Sequence, residues 1–222
     1  MPTPRAGHAL LGALLAAWLS GCVGGGAAEA PAGVDLSGNW KLDHAASDDP
    51  QKELAALRAQ ITKITERARE STEARTGVAT ADPDAPDARG APRRDPLRRS
   101  PMAMVVLSVV QRGDFLSIRQ TPSQIVLDYG GVERSYTPGA NSVVSAQGGV
   151  GDQNAGWKGR EFVVTTKGQM GTVVTESYGL SPDGKQLIMK LHVAPAELAA
   201  VNLRRVYNPT NEAAPRQLPT TD

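Results

Sequence analysis

From Phe115 to Tyr207 the sequence is cut into short alternating segments by tight turns, and this two-residue period favours antiparallel sheet. Leu116 and Ile118 share one face, with Ser117 and Arg119 on the other. Ile125, Leu127 and Tyr129 alternate against Val126 and Asp128 before a Gly130-Gly131 turn. Val132 to Thr137 ends at Pro138-Gly139, Ser142 to Ala146 is a weaker strand, and Gly148 to Gly151 reads as loose. Glu161 to Thr166 follows a small turn after Trp157. Thr172 to Leu180 and Gln186 to Val193 are joined by Ser181-Pro182-Asp183-Gly184, where Pro sets φ at the first corner and Gly accepts positive φ at the end. Asn202 to Tyr207 closes the series, and the apolar run Met104 to Val110 opens it. Of nine aromatic residues, all but Trp18 fall in segments with this strand character. Ten or so strands joined by short turns predict a mainly β fold: a single antiparallel up-and-down barrel, or a strongly curled sheet, in which closure removes the exposed edges.

The N-terminus carries a different signal. Arg5 precedes an apolar run, Ala9 to Leu19, too short to span a bilayer. Leu19-Ser20-Gly21-Cys22 follows, and Cys22 is the sole cysteine, so no internal disulfide is available. This stretch resembles the lipobox of bacterial lipoproteins. The resemblance implies cleavage after Gly21, acylation of Cys22 and a membrane anchor, because each buried methylene contributes ~0.8 kcal/mol. Val23 lies where Asp would direct inner-membrane retention, so the expected location is the outer membrane, facing the periplasm. Residues 1–21 are then a signal peptide. Residues 22–34, rich in Gly and Ala, read as a flexible tether.

Residues 35–47 contain a first strand, with Trp40 and Leu42 on one face, and residues 48–74 read as a helix. Ser47 or Asp48 is the expected cap, Pro50 falls near the first turn, and Leu54, Leu57, Ile61 and Ile64 recur at helical spacing on a stripe one residue wide. Two placements fit that stripe: a lid or partner-binding helix at a barrel mouth, or an insertion lying on the outside of the sheet. Residues 75–101 carry five prolines between Pro83 and Pro101 and read as a linker. Between residues 89 and 99, Arg89, Arg93, Arg94, Arg98 and Arg99 face one acid, Asp95, and suit either solvent or an anionic lipid surface. No aromatic is interleaved among them, so nucleic-acid stacking has no support. Residues 102–209 form the rest of the barrel, and residues 210–222 a disordered tail.

Gly38-Asn39-Trp40-Lys41-Leu42-Asp43, Trp157-Lys158-Gly159, Glu176-Ser177-Tyr178 running on to Leu180-Ser181-Pro182-Asp183-Gly184-Lys185, and Arg205-Val206-Tyr207 together resemble the bacterial lipocalin-like, calycin-type secreted proteins. The resemblance covers Asp35 to Asp43 and roughly Met104 to Pro209. It implies that Trp40 is covered by Arg204 or Arg205 in a cation–π contact that closes the barrel.

Chemistry is sparsely represented. The net charge of +1 gives no long-range field for nucleic acid. His44 and His192 are the histidines left after cleavage, and the sequence has no nucleophile elbow, phosphate loop or zinc-protease run. Asp43, His44, Asp48 and Asp49 suit helix capping as well as metal. Glu161 and Glu176 are the carboxylates that adjacent strands bring near each other. The expectation is a non-enzymatic, monomeric chain without cofactor or metal. Its barrel holds a small apolar or amphipathic ligand against Leu116, Ile118, Phe162, Val164, Leu187, Met189 and Leu191. The alternative is a structural or interaction lipoprotein whose barrel is filled by its own side chains.

Overall fold

The computed structural model describes residues 26–78, 104, 107–108, 112–146, 149–168, 171–194 and 199–212. Cys22, the arginines of the linker and most of the terminal tail lie outside them. Ten strands form one antiparallel sheet: β1 (Gly38–Leu42), β2 (Phe115–Gln120), β3 (Ile125–Asp128), β4 (Glu133–Tyr136), β5 (Asn141–Ala146), β6 (Gly149–Lys158), β7 (Glu161–Gly168), β8 (Val173–Leu180), β9 (Leu187–Ala194) and β10 (Val201–Pro209). Their order is β4-β3-β2-β1-β10-β9-β8-β7-β6-β5. Every ladder joins consecutive strands except that between β1 and β10, which ties the beginning of the chain to its end.

The register turns one set of alternating residues inward on every strand. Trp40 opposes Leu116 and Pro209, Leu203 opposes Leu191, Arg205 opposes Met189, Tyr178 opposes Phe162 and Met189, and Ile118 opposes Leu127. Phe162, Tyr178, Leu187, Leu127 and Tyr207 are almost wholly buried, and each such side chain contributes ~1.5–3 kcal/mol. At the β8–β9 hairpin, Ser181 N–H donates to Gln186 O, and Gly184 takes φ 72° as the turn requires.

The sheet curls without closing by hydrogen bonds. Among the described residues no ladder joins β4 to β5, so of the two forms expected from sequence the strongly curled sheet is the one present. Rings fill that seam instead: Tyr136 of β4 lies 5.8 Å from Phe162 of β7, and Phe162 lies 5.5 Å from Trp157 of β6. Where β5 stops short, Gly139 N–H donates to Ala155 O at 2.7 Å.

Residues 26–36 take up the rest of that edge. Ala27 and Trp157 exchange both backbone hydrogen bonds at 2.8 Å. Val34 and Leu36 are buried at the end of the sheet that carries the β8–β9 turn. The Gln120 carboxamide clips them there: its Nε2 donates to Val34 O, and its Oε1 accepts from Leu36 N, both at 2.9 Å. Leu36 O also receives the Trp40 indole N–H at 3.1 Å. The expected flexible tether is therefore part of the fold from Gly26 onward, because its carbonyls and amides complete an edge that β5 leaves open. The tail is likewise attached at its start, with Thr210 N–H bonded to Asn39 O and Lys41 paired with Glu212 at 2.8 Å.

Helix α1 runs over Pro50–Thr76, with Asp49 as N-cap and Gly77 as a left-handed C-cap. Its first two turns bury Leu54 and Leu57, 2% and 1% exposed, in the same cluster as the inward strand residues. Gln60 reaches the amide of Ala199 beside β10. The helix therefore meets the interior at the end opposite the strap, which favours the lid placement over the external one. Ile64, expected on the same stripe, is 45% exposed. Met104, Leu107 and Ser108 are helical, whereas the apolar run containing them reads as a strand. A continuous apolar run fits either element, and periodicity cannot separate them.

The strap crosses β6 at two glycines. A Cβ on Gly156 would fall 2.7 Å from the Gly26 carbonyl carbon. Replacing Gly156 by Ala is expected to displace the strap and lower stability by ~1–3 kcal/mol, read by urea unfolding of the soluble chain. An unchanged midpoint would show that the crossing is loose.

Candidate functional site

Near the middle of the curled sheet the interior changes from apolar to ionic. β8 alternates Val174, Glu176, Tyr178 and Leu180 inward, so its register drives a carboxylate into the core. A charge there needs a partner, since an unpaired buried ion costs several kcal/mol. Arg112, in the turn leading into β2, supplies it. Its Nη1 and Nη2 donate to Glu176 Oε2 and Oε1 at 2.6 and 2.8 Å, in a bidentate pair buried on both sides.

Two tyrosines complete a ring of hydrogen bonds. Tyr178 O–H donates to Glu176 Oε2 at 2.5 Å, which uses its proton. Tyr129 O–H therefore donates to the Tyr178 oxygen at 2.6 Å, and the Tyr129 oxygen accepts from Arg112 Nη1 at 3.4 Å. The Arg112 guanidinium also lies 5.0 Å from the Tyr129 ring centroid. Arg134 of β4 reaches the same carboxylate at 3.3 Å, with its side chain about a third exposed. The cluster thus holds two guanidinium groups and one carboxylate. One atom is left over: Arg112 Nε is buried and has no partner among the described residues.

Burial alone would raise the Glu176 pKa, but the Arg112 charge and its hydrogen bonds outweigh that and bring it from 4.5 to about 2. Tyr178 is pushed well up by burial and by the neighbouring carboxylate, so its proton stays in place.

The residues expected from sequence lie as follows. Leu116, Ile118, Phe162, Val164, Leu187, Met189 and Leu191 all face inward, and each is no more than 2% exposed, packed as a floor. Gln153, Thr166 and Val174, on the same face but nearer the helix end, are only half-buried. The expected cation–π cover of Trp40 is replaced by other contacts of both arginines. Arg204 points outward and bonds Ala46 O, while Arg205 faces in, lies 5.6 Å from the Tyr207 ring and donates to Gly113 O. The register explains this: Trp40 is level with Pro209, four residues from Arg205. Glu161 and Glu176 are on opposite faces, and Glu161 pairs with Lys190 at 2.6 Å. Asp43 and Asp49 cap local backbone amides, and His44 lies 3.0 Å from Asp114. Among the described residues no group of His, Cys, Asp and Glu is placed to hold a metal.

A cleft of about 390 Å³ opens at the foot of α1 between His44, Asp48, Pro50 and Asp114. Its inner wall is Leu42, Leu203 and Arg205, so it leads from solvent to inward-facing side chains.

No protein-family model matches the sequence, and no curated protein matches it. Among solved structures, the chain is similar to a fatty acid transporter, REP1-NXSQ, at 13% identity and a TM-score of 0.42, covering 81% of this chain and 98% of the other. It is similar to the zebrafish ileal bile-acid-binding protein complexed with cholic acid, at 11% identity and a TM-score of 0.41, covering 78% and 98%. It is also similar to a fatty-acid-binding protein from brain tissue of Drosophila melanogaster, at 12% identity and a TM-score of 0.40, covering 78% and 99%.

Because the Glu176 pKa is depressed in the folded chain, the pair stabilises the fold above the unfolded carboxyl value. That stability is expected to fade as pH drops from about 4.5 toward about 2. Glu176→Ala, which strands Arg112, is expected to cost ~3–5 kcal/mol at neutral pH. Denaturant unfolding across that pH range checks both, and a variant whose acid limb matches that of the unmodified chain would refute the assignment.

Proposed function

We propose that this chain is a lipid-anchored binding protein of the bacterial envelope that holds a small amphipathic ligand with an anionic head. The observation that carries this reading is the surplus cation in the interior. Arg112 and Arg134 converge on Glu176 alone, and a buried N–H of Arg112 has no partner among the described residues. A guanidinium surplus of this kind, with Arg112 buried and Arg134 about a third exposed, favours a carboxylate or phosphate, because an unsatisfied buried donor such as Arg112 Nε costs ~1–3 kcal/mol. The half-buried belt of Gln153, Thr166 and Val174 lies above the apolar floor, so head and tail would meet different surfaces. The anchor is the acylated Cys22, in the outer membrane and facing the periplasm, and binding is the role without catalysis.

A second reading is favoured by the floor itself. Leu187, Met189 and Leu191 are at most 1% exposed, as in a sheet packed by its own side chains and serving as a structural or interaction lipoprotein.

Lipid extraction and native mass spectrometry of the soluble chain, followed by thermal shift with matched fatty acids and fatty alcohols, separate the two. The binding reading expects a stabilising shift with the acid that exceeds that with the alcohol. Arg134→Ala should weaken the acid about tenfold, ~1.4 kcal/mol, with little change in the alcohol. No co-purifying lipid and no shift with either series would leave the self-packed reading standing. For the anchor, Cys22→Ser is expected to abolish labelling by a clickable fatty acid and release the chain from the membrane fraction. Labelling that persists would refute it.

A further inference from the structure

The N-terminal segment enters the fold over the outer face of β5, β6 and β7. Gly26 lies on Gly156, an outward position of β6, and its N–H points to the Asn154 Oδ1 at 3.4 Å. Asn154 is in turn held by Asn141 of β5 at 2.8 Å. A groove of about 960 Å³ borders this crossing, lined by Gly26, Val143, Asp152, Lys158, Thr165 and Lys167 among others. Val143 is 69% exposed, and Val150, on the same outward face of the β5–β6 hairpin, is 44% exposed. Lys158 and Lys167 stand on this face with two acids, Asp152 level with Lys167 and Glu161 level with Lys158.

Gly26 lies four Cα–Cα steps from Cys22, a span of at most ~14 Å when fully extended. The sequence alone allowed a tether of about three times that number. From this geometry we infer that the outer face of β5–β7 is the membrane-facing surface of the anchored protein, seated on the anionic lipid headgroups of the bilayer that holds the acyl chains. The inference rests on the acylation of Cys22 proposed above. The outer face around Gly26 is therefore the part of the fold held nearest the lipid. Its pair of exposed valines suits the interface, and Lys158 and Lys167 add attraction to anionic headgroups, where a basic residue contributes about 1 kcal/mol. The strands then lie along the surface, with the helix end and the strap end both to the side.

Acylation consumes the only cysteine, so a second one gives a unique label site. Full-length acylated protein carrying Val143→Cys is reconstituted in vesicles of phosphatidylethanolamine and phosphatidylglycerol and labelled with a fluorophore. Asn39→Cys, on the outward face of β1 across the sheet, is the reference. Headgroup-borne quencher is expected to quench the label at position 143 severalfold more than the label at position 39. Equal quenching in protein whose clickable-lipid label is present overturns this inference and leaves the anchor intact. Absence of the lipid label removes both. Shielding of the label at position 143 in lipid-free Cys22→Ser protein would assign the face to a second copy of the chain, and would also overturn the inference.

Discussion

The whole architecture depends on the five residues of β1. Nine strands could be laid down as a flat meander, each beside its sequence neighbour. β1 alone ladders with strands from distant parts of the chain, Trp40 lying level with both Leu116 and Pro209. That double pairing obliges the sheet to bend back toward itself, aided by the right-handed twist of every strand. Trp40 is fixed from a third side by Leu36 O, so the strap, the first strand and the last strand meet at one indole. Loss of that junction would separate the two halves of the sheet, whereas loss of any hairpin turn would be local.

Inside the curl, the ionic ring solves a problem that the register creates. Glu176 cannot turn outward without moving Tyr178 and Val174 with it, because side chains alternate strictly. The chain answers with Arg112 from outside the ladder and with two phenols whose protons are held by burial. Such a ring fixes the relative position of β3, β8 and the entry to β2, since each member accepts or donates to the next. It therefore contributes positional specificity as well as energy.

The alternation of β2, β3, β8 and β9 was legible residue by residue, because apolar and polar side chains take turns there. β6 was not. Gly149-Val-Gly-Asp-Gln-Asn-Ala-Gly-Trp-Lys has little strand propensity, and its strand is imposed by partners on both sides. The strap was hidden for a related reason: Gly and Ala around residue 26 resemble a linker, yet only residues so small can cross β6 at Gly156. Of the interior site, Glu176 lies in phase with Leu180 and Tyr178, although it reads from sequence as a neighbour of Glu161 across adjacent strands. Arg112 lies outside the alternating segments, and no local pattern connects it to a carboxylate 64 positions away. The cover of Trp40 by an arginine, implied by family resemblance, gave way to a register that places Arg205 beside Tyr207.

The seam between β4 and β5 sets this sheet apart from a barrel laced all the way round. Everywhere else, parting two strands breaks a ladder of backbone bonds. Along the seam the joins are side-chain contacts, Tyr136 on Phe162 and the Arg134 guanidinium on Glu176. A ring contact of that kind is worth roughly a kilocalorie, so openings concentrate where the ring contact, rather than the ionic group, is the fastening. The molecule behaves mechanically like a cuff whose last edge is buttoned rather than stitched: that edge can part between its fastenings while every stitched join stays closed.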